Sequence, residues 1–145
     1  MIYSVEIGRT VLGENKIKAE IGRIDVNHKD QAKFHSGDSF DISFQNDERG
    51  FFVSVYVNSD YMADGKIQYM QNRKNIVIER IATNKNDQSV LTEGQIITLD
   101  SDENNAYQNV DIVYDNVVVA HGKITKDLYD NKYYVVIIDC IDGVN

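Results

Sequence analysis

The chain has few of the residues and segments whose function is easiest to recognise in a sequence. Among its 145 residues it has one cysteine, Cys140, and neither proline nor tryptophan. A single cysteine excludes a disulfide within the chain. No apolar run approaches the roughly 20 residues of a membrane-spanning helix, and the first residues lack the cationic start and apolar core of a signal peptide. We therefore expect a cytoplasmic protein that reaches a membrane only through a complex, without direct insertion.

Basic charge is also scarce. Fifteen Lys and Arg residues stand against 23 Asp and Glu residues, which gives a formal net charge of −8 and a pI near 4.7. A nucleic-acid backbone would be repelled by this charge, so no nucleic-acid partner is expected. The composition, 42% apolar and 26% charged, is that of a globular protein of one compact domain or two very small ones.

Residues that could carry catalysis or bind a metal are few and scattered. No cysteine or carboxylate lies at metal-ligand spacing around the three histidines, which are His28, His35 and His121. Cys140 lies in an apolar segment typical of a buried, inert thiol. The loop Asp100-x-Asp102-x-Asn104 has calcium-type spacing, but Asn105 stands where such a loop needs glycine, and calcium binding there is left open. We expect no enzyme activity and no cofactor, and assign no metal site.

Strand patterns, in contrast, are abundant. The stretch Val110–Ile124 is a strand, a polar turn at Asp115-Asn116 and a second strand, which together indicate a hairpin. Phe40, Ile42 and Phe44 alternate at the period of a half-buried strand. The polar segment 27–36 fits a single helical turn. The sequence therefore predicts an all-β fold with one or two short helical turns.

The hairpin occurs twice in the chain. Val53–Ile67 matches Val110–Ile124 at a constant offset, 110 − 53 = 57. Residues 27–67 and 84–124 share nine identities without a gap, where chance would give roughly two or three, so the chain contains an internal repeat. After Ile124 the second copy gains three residues in this alignment, because Glu79 then matches Asp139, 139 − 79 = 60.

The second copy lacks an opening strand. The first copy opens with 17–26, but the equivalent place before the second copy is taken by the closing strand of the first. Val5–Arg9 resembles residues 19–23 at an offset of 19 − 5 = 14, although Gly8-Arg9 predicts a break or bulge there. We predict that Val5–Thr10 crosses over, so that copy one is 13–82 and copy two is 83–145 completed by 1–12. The alternative is a local hairpin with 19–26.

These segments resemble a known family. A strand ending in Glu6–Thr10, a turn glycine at Gly37 followed by alternating apolar residues, the Val110–Gly122 hairpin and a closing Val-x-Ile strand look like the SpoA (surface presentation of antigens) domain. That domain is the C-terminal module of the flagellar motor switch proteins FliM and FliN and of a type III secretion cytoplasmic-ring component. The resemblance covers essentially the whole chain, with a FliM-like first copy and a FliN-like second copy. Gln95 departs from it, since the family has an acidic residue after the turn glycine.

The resemblance implies a fold and a function. The fold would be two interwoven copies forming a pseudo-two-fold, strand-exchanged small barrel. The function would be that of a non-catalytic scaffold in the cytoplasmic ring of a flagellar motor switch or type III secretion system, bound to other ring or sorting-platform proteins as a homo- or hetero-oligomer. The candidate partner-interface residues are Val5, Ile7, Val117, Val119 and Ile124. The alternative function is a generic β-barrel or β-sandwich module that binds a ligand or carbohydrate.

Overall fold

The computed structural model describes residues 1–26, 34–42, 51–82, 91–100 and 109–141, together with the backbone of residues 46, 47 and 50. Every regular element in these ranges is a β-strand, which confirms the all-β prediction. The strands are β1 (Ile2–Leu12), β2 (Asn15–Asp25), β3 (Ser39–Asp41), β4 (Asn46–Asp47), β5 (Gly50–Val57), β6 (Asp60–Met70), β7 (Arg73–Ile81), β8 (Ile96–Thr98), β9 (Asn109–Tyr114), β10 (Val117–Lys126) and β11 (Tyr133–Cys140).

The strands form one antiparallel sheet. Its order is β3-β11-β10-β9-β1-β2-β5-β6-β7-β8, with β4 paired to β5 beside this path. The path ends at β3 and β8, so the described strands do not close into the expected small barrel through a continuous ladder. The helical turn predicted at 27–36 falls largely on residues 27–33, outside the described residues. In the described part of the chain, no helix is long and apolar enough to cross a membrane.

The start of the N-terminal strand pairs with the second half of the chain, and Val5 and Glu6 of the predicted crossover segment Val5–Thr10 lie in this ladder. In the ladder between β1 and β9, Val5 lies opposite Ile112 and Glu6 lies opposite Asp111. The other edge of β1 adjoins β2, so the strand takes part in the local hairpin as well. Of the break or bulge predicted at Gly8, the break is wrong, because β1 runs without interruption. The side chain of Leu99 explains the glycine instead, since a Cβ at Gly8 would lie 2.7 Å from Leu99 Cδ1.

The chain divides into two compact units. Unit 1 comprises Met1–Glu6, Gly22–Ser43 and Gln108–Asn145, and unit 2 comprises Ile7–Ile21 and Phe44–Tyr107. Both β1 and β2 therefore contribute one half to each unit. The units do not follow the predicted segments 13–82 and 83–145, because β3 pairs with β11 and β8 pairs with β7.

Corresponding backbone hydrogen bonds recur in the two units. In unit 1, Gly37 N–H donates to Ile137 O over 2.8 Å, and in unit 2, Gly94 N–H donates to Ile78 O over 2.7 Å. The turn glycines keep the offset of 94 − 37 = 57, but the last strands differ by 137 − 78 = 59. The alignment offset of 60 is therefore one residue too long. A slip of one residue turns each side chain of the strand to the other face of the sheet. The hydrogen bonds detect this slip, whereas an alignment of similar Val and Ile runs does not.

Within unit 2, three hydrogen bonds connect β1 to residues near β7 and β8. Asp100 N–H donates to Arg9 O over 2.9 Å, and Thr10 Oγ1 donates to the Asp100 carboxylate over 2.9 Å. The buried Lys74 ammonium donates to Ile7 O over 3.0 Å. An ammonium taken out of water is stabilised only where it keeps such acceptors. These three hydrogen bonds connect β7 and the residue that follows Leu99 to β1, although no regular ladder joins the strands.

Gly65 provides a test of this packing. A Cβ at this position in β6 would lie 2.7 Å from Ile76 Cγ2 and 2.8 Å from Val77 O. The backbone oxygen cannot rotate away, so we expect Gly65→Ala to lower the free energy of unfolding by about 1–3 kcal/mol. Chemical denaturation followed by circular dichroism measures the change.

Gly13→Asn is the matched control for this test. Gly13 has φ +61°, with nothing within 4 Å of a built Cβ, and asparagine tolerates that left-handed conformation. We expect little change in the control. Equal stability of the wild type and both variants would contradict the close packing at Gly65.

Candidate interaction surface

Three of the five predicted interface residues are buried. Val5 is 0% exposed, Ile7 is 2% exposed and Ile124 is 4% exposed. Their strands, β1 and β10, each have a neighbouring strand on both edges, and these side chains belong to the apolar core. A partner could reach them only if the sheet opened. The expectation that they line an external interface is therefore corrected by their burial.

The other two predicted residues are more accessible. Val117 is 48% exposed, and Val119 is half-buried. Val117 follows the predicted turn, where Asp115 and Asn116 have φ of 52° and 63°, as a two-residue type I′ hairpin turn requires. Tyr114, just before the turn, is 41% exposed. This end of the β9–β10 hairpin therefore presents apolar surface to solvent.

Sequence reasoning missed the most exposed apolar residues. Leu128 is 89% exposed and Tyr129 is 101% exposed. They lie in residues 127–132, called the tip loop here, which joins β10 to β11 in unit 1. A leucine and a tyrosine wholly in solvent gain nothing from folding by burial. The only signal in the sequence was the extra length of the second copy after Ile124.

Hydrogen bonds hold the tip loop in one conformation. Asp127 N–H donates to Lys132 O and Asn131 N–H donates to Asp127 O, each over 2.9 Å. The Asp127 carboxylate accepts from Tyr129 N–H over 2.7 Å. The Asp130 carboxylate accepts from Lys132 N–H over 2.9 Å and from the Tyr134 hydroxyl over 2.5 Å. Side-chain caps of this kind are how aspartates stabilise turns.

The Asp130 carboxylate of the tip loop and the Tyr134 hydroxyl of β11 shift each other's pKa. The hydrogen bond from Tyr134 is the main cause that lowers the pKa of Asp130. The same bond raises the pKa of Tyr134 to about 12. In unit 2, burial first, and then a hydrogen bond to Asp64, raises the pKa of Tyr61. These shifts report structural hydrogen bonds at exposed or partly exposed positions.

A row of ionisable side chains crosses three strands of unit 1. In the ladders of β10, His121 lies opposite Asp111 on one side and Asp139 on the other. His121 Nδ1 is 2.9 Å from Asp111 Oδ1, and His121 Nε2 is 4.0 Å from Asp139 Oδ1. The local sequence showed no such spacing, because the three residues meet only through strand register. A correct register for the β10–β11 hairpin would have found the row.

The corresponding row in unit 2 has different chemistry. Asp64, in the position of His121, forms an ion pair with Arg80 on β7 and accepts a hydrogen bond from the Tyr61 hydroxyl over 2.6 Å. Arg80 Nε also donates to Asp64 over 3.0 Å. The contacts in both rows are typical of cross-strand pairing.

Metal binding gains no support from the described residues. No group of three or more His, Cys, Asp or Glu side chains there could hold a metal ion. Asp102 and Asn104 of the calcium-like loop, and also His28, lie outside the described part of the chain, while Asp100 accepts the Thr10 hydrogen bond. His35 is exposed beside Asp38, and 3.8 Å separates His35 Nδ1 from Asp38 Oδ2.

The remaining reactive groups also make structural contacts. Cys140 is half-buried, and its thiol donates to Phe34 O over 2.8 Å. The buried Lys66 ammonium lies 4.6 Å from the Phe52 ring centroid and 4.0 Å from Glu79. A cation over an aromatic face and near a carboxylate is a stabilising arrangement for a buried lysine.

No protein-family model matches the chain. No curated protein matches it either.

The Tyr134–Asp130 contact predicts a measurable titration. We expect Asp130→Asn to lower the pKa of Tyr134 from about 12 toward the ordinary tyrosine value of 10.0, because the neutral amide no longer favours the protonated hydroxyl. Carbon-13 NMR of labelled tyrosines, assigned with Tyr134→Phe, measures the change. Asp139→Asn is the control and should leave Tyr134 unchanged.

The sign of the effect on stability follows from the raised pKa. The contribution of the Tyr134 proton is fully present below the unfolded value of 10.0 and is lost as pH rises through about 12. Identical Tyr134 titrations in the wild type and in Asp130→Asn would show that this hydrogen bond does not form in solution.

Proposed function

We propose that this chain is a non-catalytic assembly module that binds other proteins. The observation that carries the proposal is the exposure of apolar side chains at the ends of unit 1 hairpins: Val117 at 48%, Leu128 at 89% and Tyr129 at 101%. Apolar residues placed in solvent on a regular strand framework are typical of protein contact sites. Scattered single residues are ordinary on any surface, but two adjacent residues on a hydrogen-bonded loop are a stronger indication.

The finer proposal is a scaffold in the cytoplasmic ring of a flagellar motor switch or type III secretion system. It rests on the resemblance to SpoA domains. The pairing of β1 with β9 supports it, because that pairing is the strand exchange that the resemblance implies. The recurrence of the Gly37–Ile137 hydrogen bond as Gly94–Ile78 supports it further, since both modules would then have one pattern.

The test is binding to purified ring proteins of both systems from the source organism. We expect one of them to form a complex of fixed stoichiometry, seen by light scattering after gel filtration. The triple variant Val117→Ser, Leu128→Ser, Tyr129→Ser should weaken it about tenfold or more by calorimetry, because truncated anchor residues carry most interface energy.

The matched control changes exposed apolar residues of unit 2. Val11 and Ile96 are each 58% exposed, and we expect the double variant Val11→Ser, Ile96→Ser to bind as the wild type does. Failure of all ring proteins to bind would reject the finer proposal. Saturable binding to a glycan array without any protein partner would instead favour the ligand- or carbohydrate-binding module.

A further inference from the structure

We propose that the outer edge of β8 accepts an extended segment of a partner polypeptide, which would add a strand to the unit 2 sheet beside Ile96 and Thr98. The proposal goes beyond the assembly function proposed above, because β8 belongs to unit 2 while the apolar hairpin ends assigned to ring binding belong to unit 1. The two contacts use different surfaces, so one can be lost while the other is kept.

The backbone of β8 bonds to β7 at every second residue. Gln95 O accepts a backbone N–H of β7 over 2.9 Å, and Leu99 N–H donates to Lys74 O over 2.9 Å. Because antiparallel ladders alternate, Ile96 and Thr98 direct their N–H and C=O groups away from β7. In the described part of the chain, no backbone hydrogen bond reaches these groups, so β8 presents an unpaired edge.

The edge of β8 separates from β1 on the N-terminal side of Asp100. Asp100 N–H donates to Arg9 O over 2.9 Å, and a continued antiparallel ladder would place Ile96 opposite Gly13. No such ladder forms between the described strands. Ile96 is 58% exposed, and a Cβ built at Gly13 meets nothing within 4 Å. The space beside Ile96 is therefore open to a ligand.

The corresponding edge of unit 1 carries a charge. β3 lies at the opposite end of the sheet, and its exposed residues Ser39 and Asp41 correspond to Ile96 and Thr98 by the repeat offset, 96 − 39 = 57. A charged residue on a short edge strand opposes pairing with a further strand. Ile96 and Thr98 are uncharged and β-branched, which is the residue type most favourable within strands. Charge therefore protects the edge of β3 but not the edge of β8.

The backbone groups of this edge determine what can bind there. Donors and acceptors that alternate along an extended backbone are matched by another extended backbone, as in β-strand addition, where main-chain hydrogen bonds give the affinity. The bond between Asp100 and Arg9 favours a single segment, because the folded sheet of a second copy would have to separate β8 from β1. Repulsion between two chains of formal net charge −8 also disfavours a second copy.

The neighbouring side chains predict the sequence of the bound segment. Val77 on β7 is half-buried and lies directly opposite Ile96. A residue of the added strand beside Ile96 would extend this apolar row across the sheet, where aromatic and β-branched side chains pair well. The segment should therefore have an apolar residue at that position and no proline in the paired part, because proline has no N–H to donate.

The probe is a phage-displayed library of random peptides, selected on the immobilised full chain. The selected peptide is synthesised, and calorimetry measures its affinity for the wild type and for Ile96→Ser with Thr98→Asp, which copies the β3 residues onto β8. The unit 1 triple variant described above is the matched control. Two further peptides, each N-methylated at every second residue but one residue out of phase, test for strand pairing. Amide exchange followed by NMR reports on Ile96 and Thr98 directly.

We expect the β8 double variant to bind the peptide about fivefold more weakly or worse, because it loses two cross-strand pairs, and the unit 1 triple variant to bind as the wild type does. One N-methylated peptide should lose about tenfold or more in affinity, since its N–H groups that face β8 are blocked, and the other should keep its affinity. With peptide at about ten times its Kd, exchange of the Ile96 and Thr98 N–H groups should slow about tenfold, because only the free protein exchanges.

Equal binding of the two N-methylated peptides, or unchanged exchange at Ile96 and Thr98, would overturn strand addition at β8. A selection that yields no specific peptide would also overturn it. Protection of these amides that rises with protein concentration alone would indicate a second copy instead. None of these results bears on the binding of ring proteins through unit 1, so failure of this inference can be told apart from failure of the assembly function.

Discussion

The structure depends on one strand that satisfies the hydrogen-bonding needs of two units. β1 pairs with β9 along one edge and adjoins β2 along the other, and its first half belongs to unit 1 while its second half belongs to unit 2. Buried backbone groups must find partners, so neither unit is complete without this strand. Val5 and Ile7 of this strand are also buried in the apolar core.

The same constraint explains why sequence reasoning found the strand but misplaced its side chains. The missing opening strand of the second copy predicted that Val5–Thr10 crosses over to that copy, and Val5 and Glu6 of this segment pair with β9. An interface role was also assigned to Val5 and Ile7 because strand exchange was equated with exposed apolar surface. Neighbours on both edges of a strand satisfy its backbone and do not decide which side chains are exposed, since Val5 and Ile7 are buried while Ile2 and Val11 of the same strand are exposed.

Register was the second limit on prediction. Period-2 patterns locate strands such as β9 and β10, and Asp115-Asn116 fixed their turn, but the last strand contains a run of Val and Ile that aligns almost equally well one residue apart. The ladder with β10 and the hydrogen bond from Gly37 to Ile137 fix its register. With that register, Asp139 falls opposite His121, which composition and local spacing could not show. The positions of apolar strands can be predicted from the sequence. Rows of side chains across strands depend on the register of each strand pair, which an error of one residue changes.

The two units share one backbone pattern but have different side chains on their surfaces. At equivalent positions, the cross-strand row has Asp64 with Arg80 in unit 2 and His121 with Asp139 in unit 1. Burial keeps inward positions apolar in both units, as at Val55 and Ile112, whereas outward positions and turns can change in chemical character. The tip loop is the largest such divergence, because it changes the length of the chain as well as its side chains. A change in length at a hairpin end leaves the ladder intact, and this is why new binding chemistry can arise there without disturbing the strands that hold it.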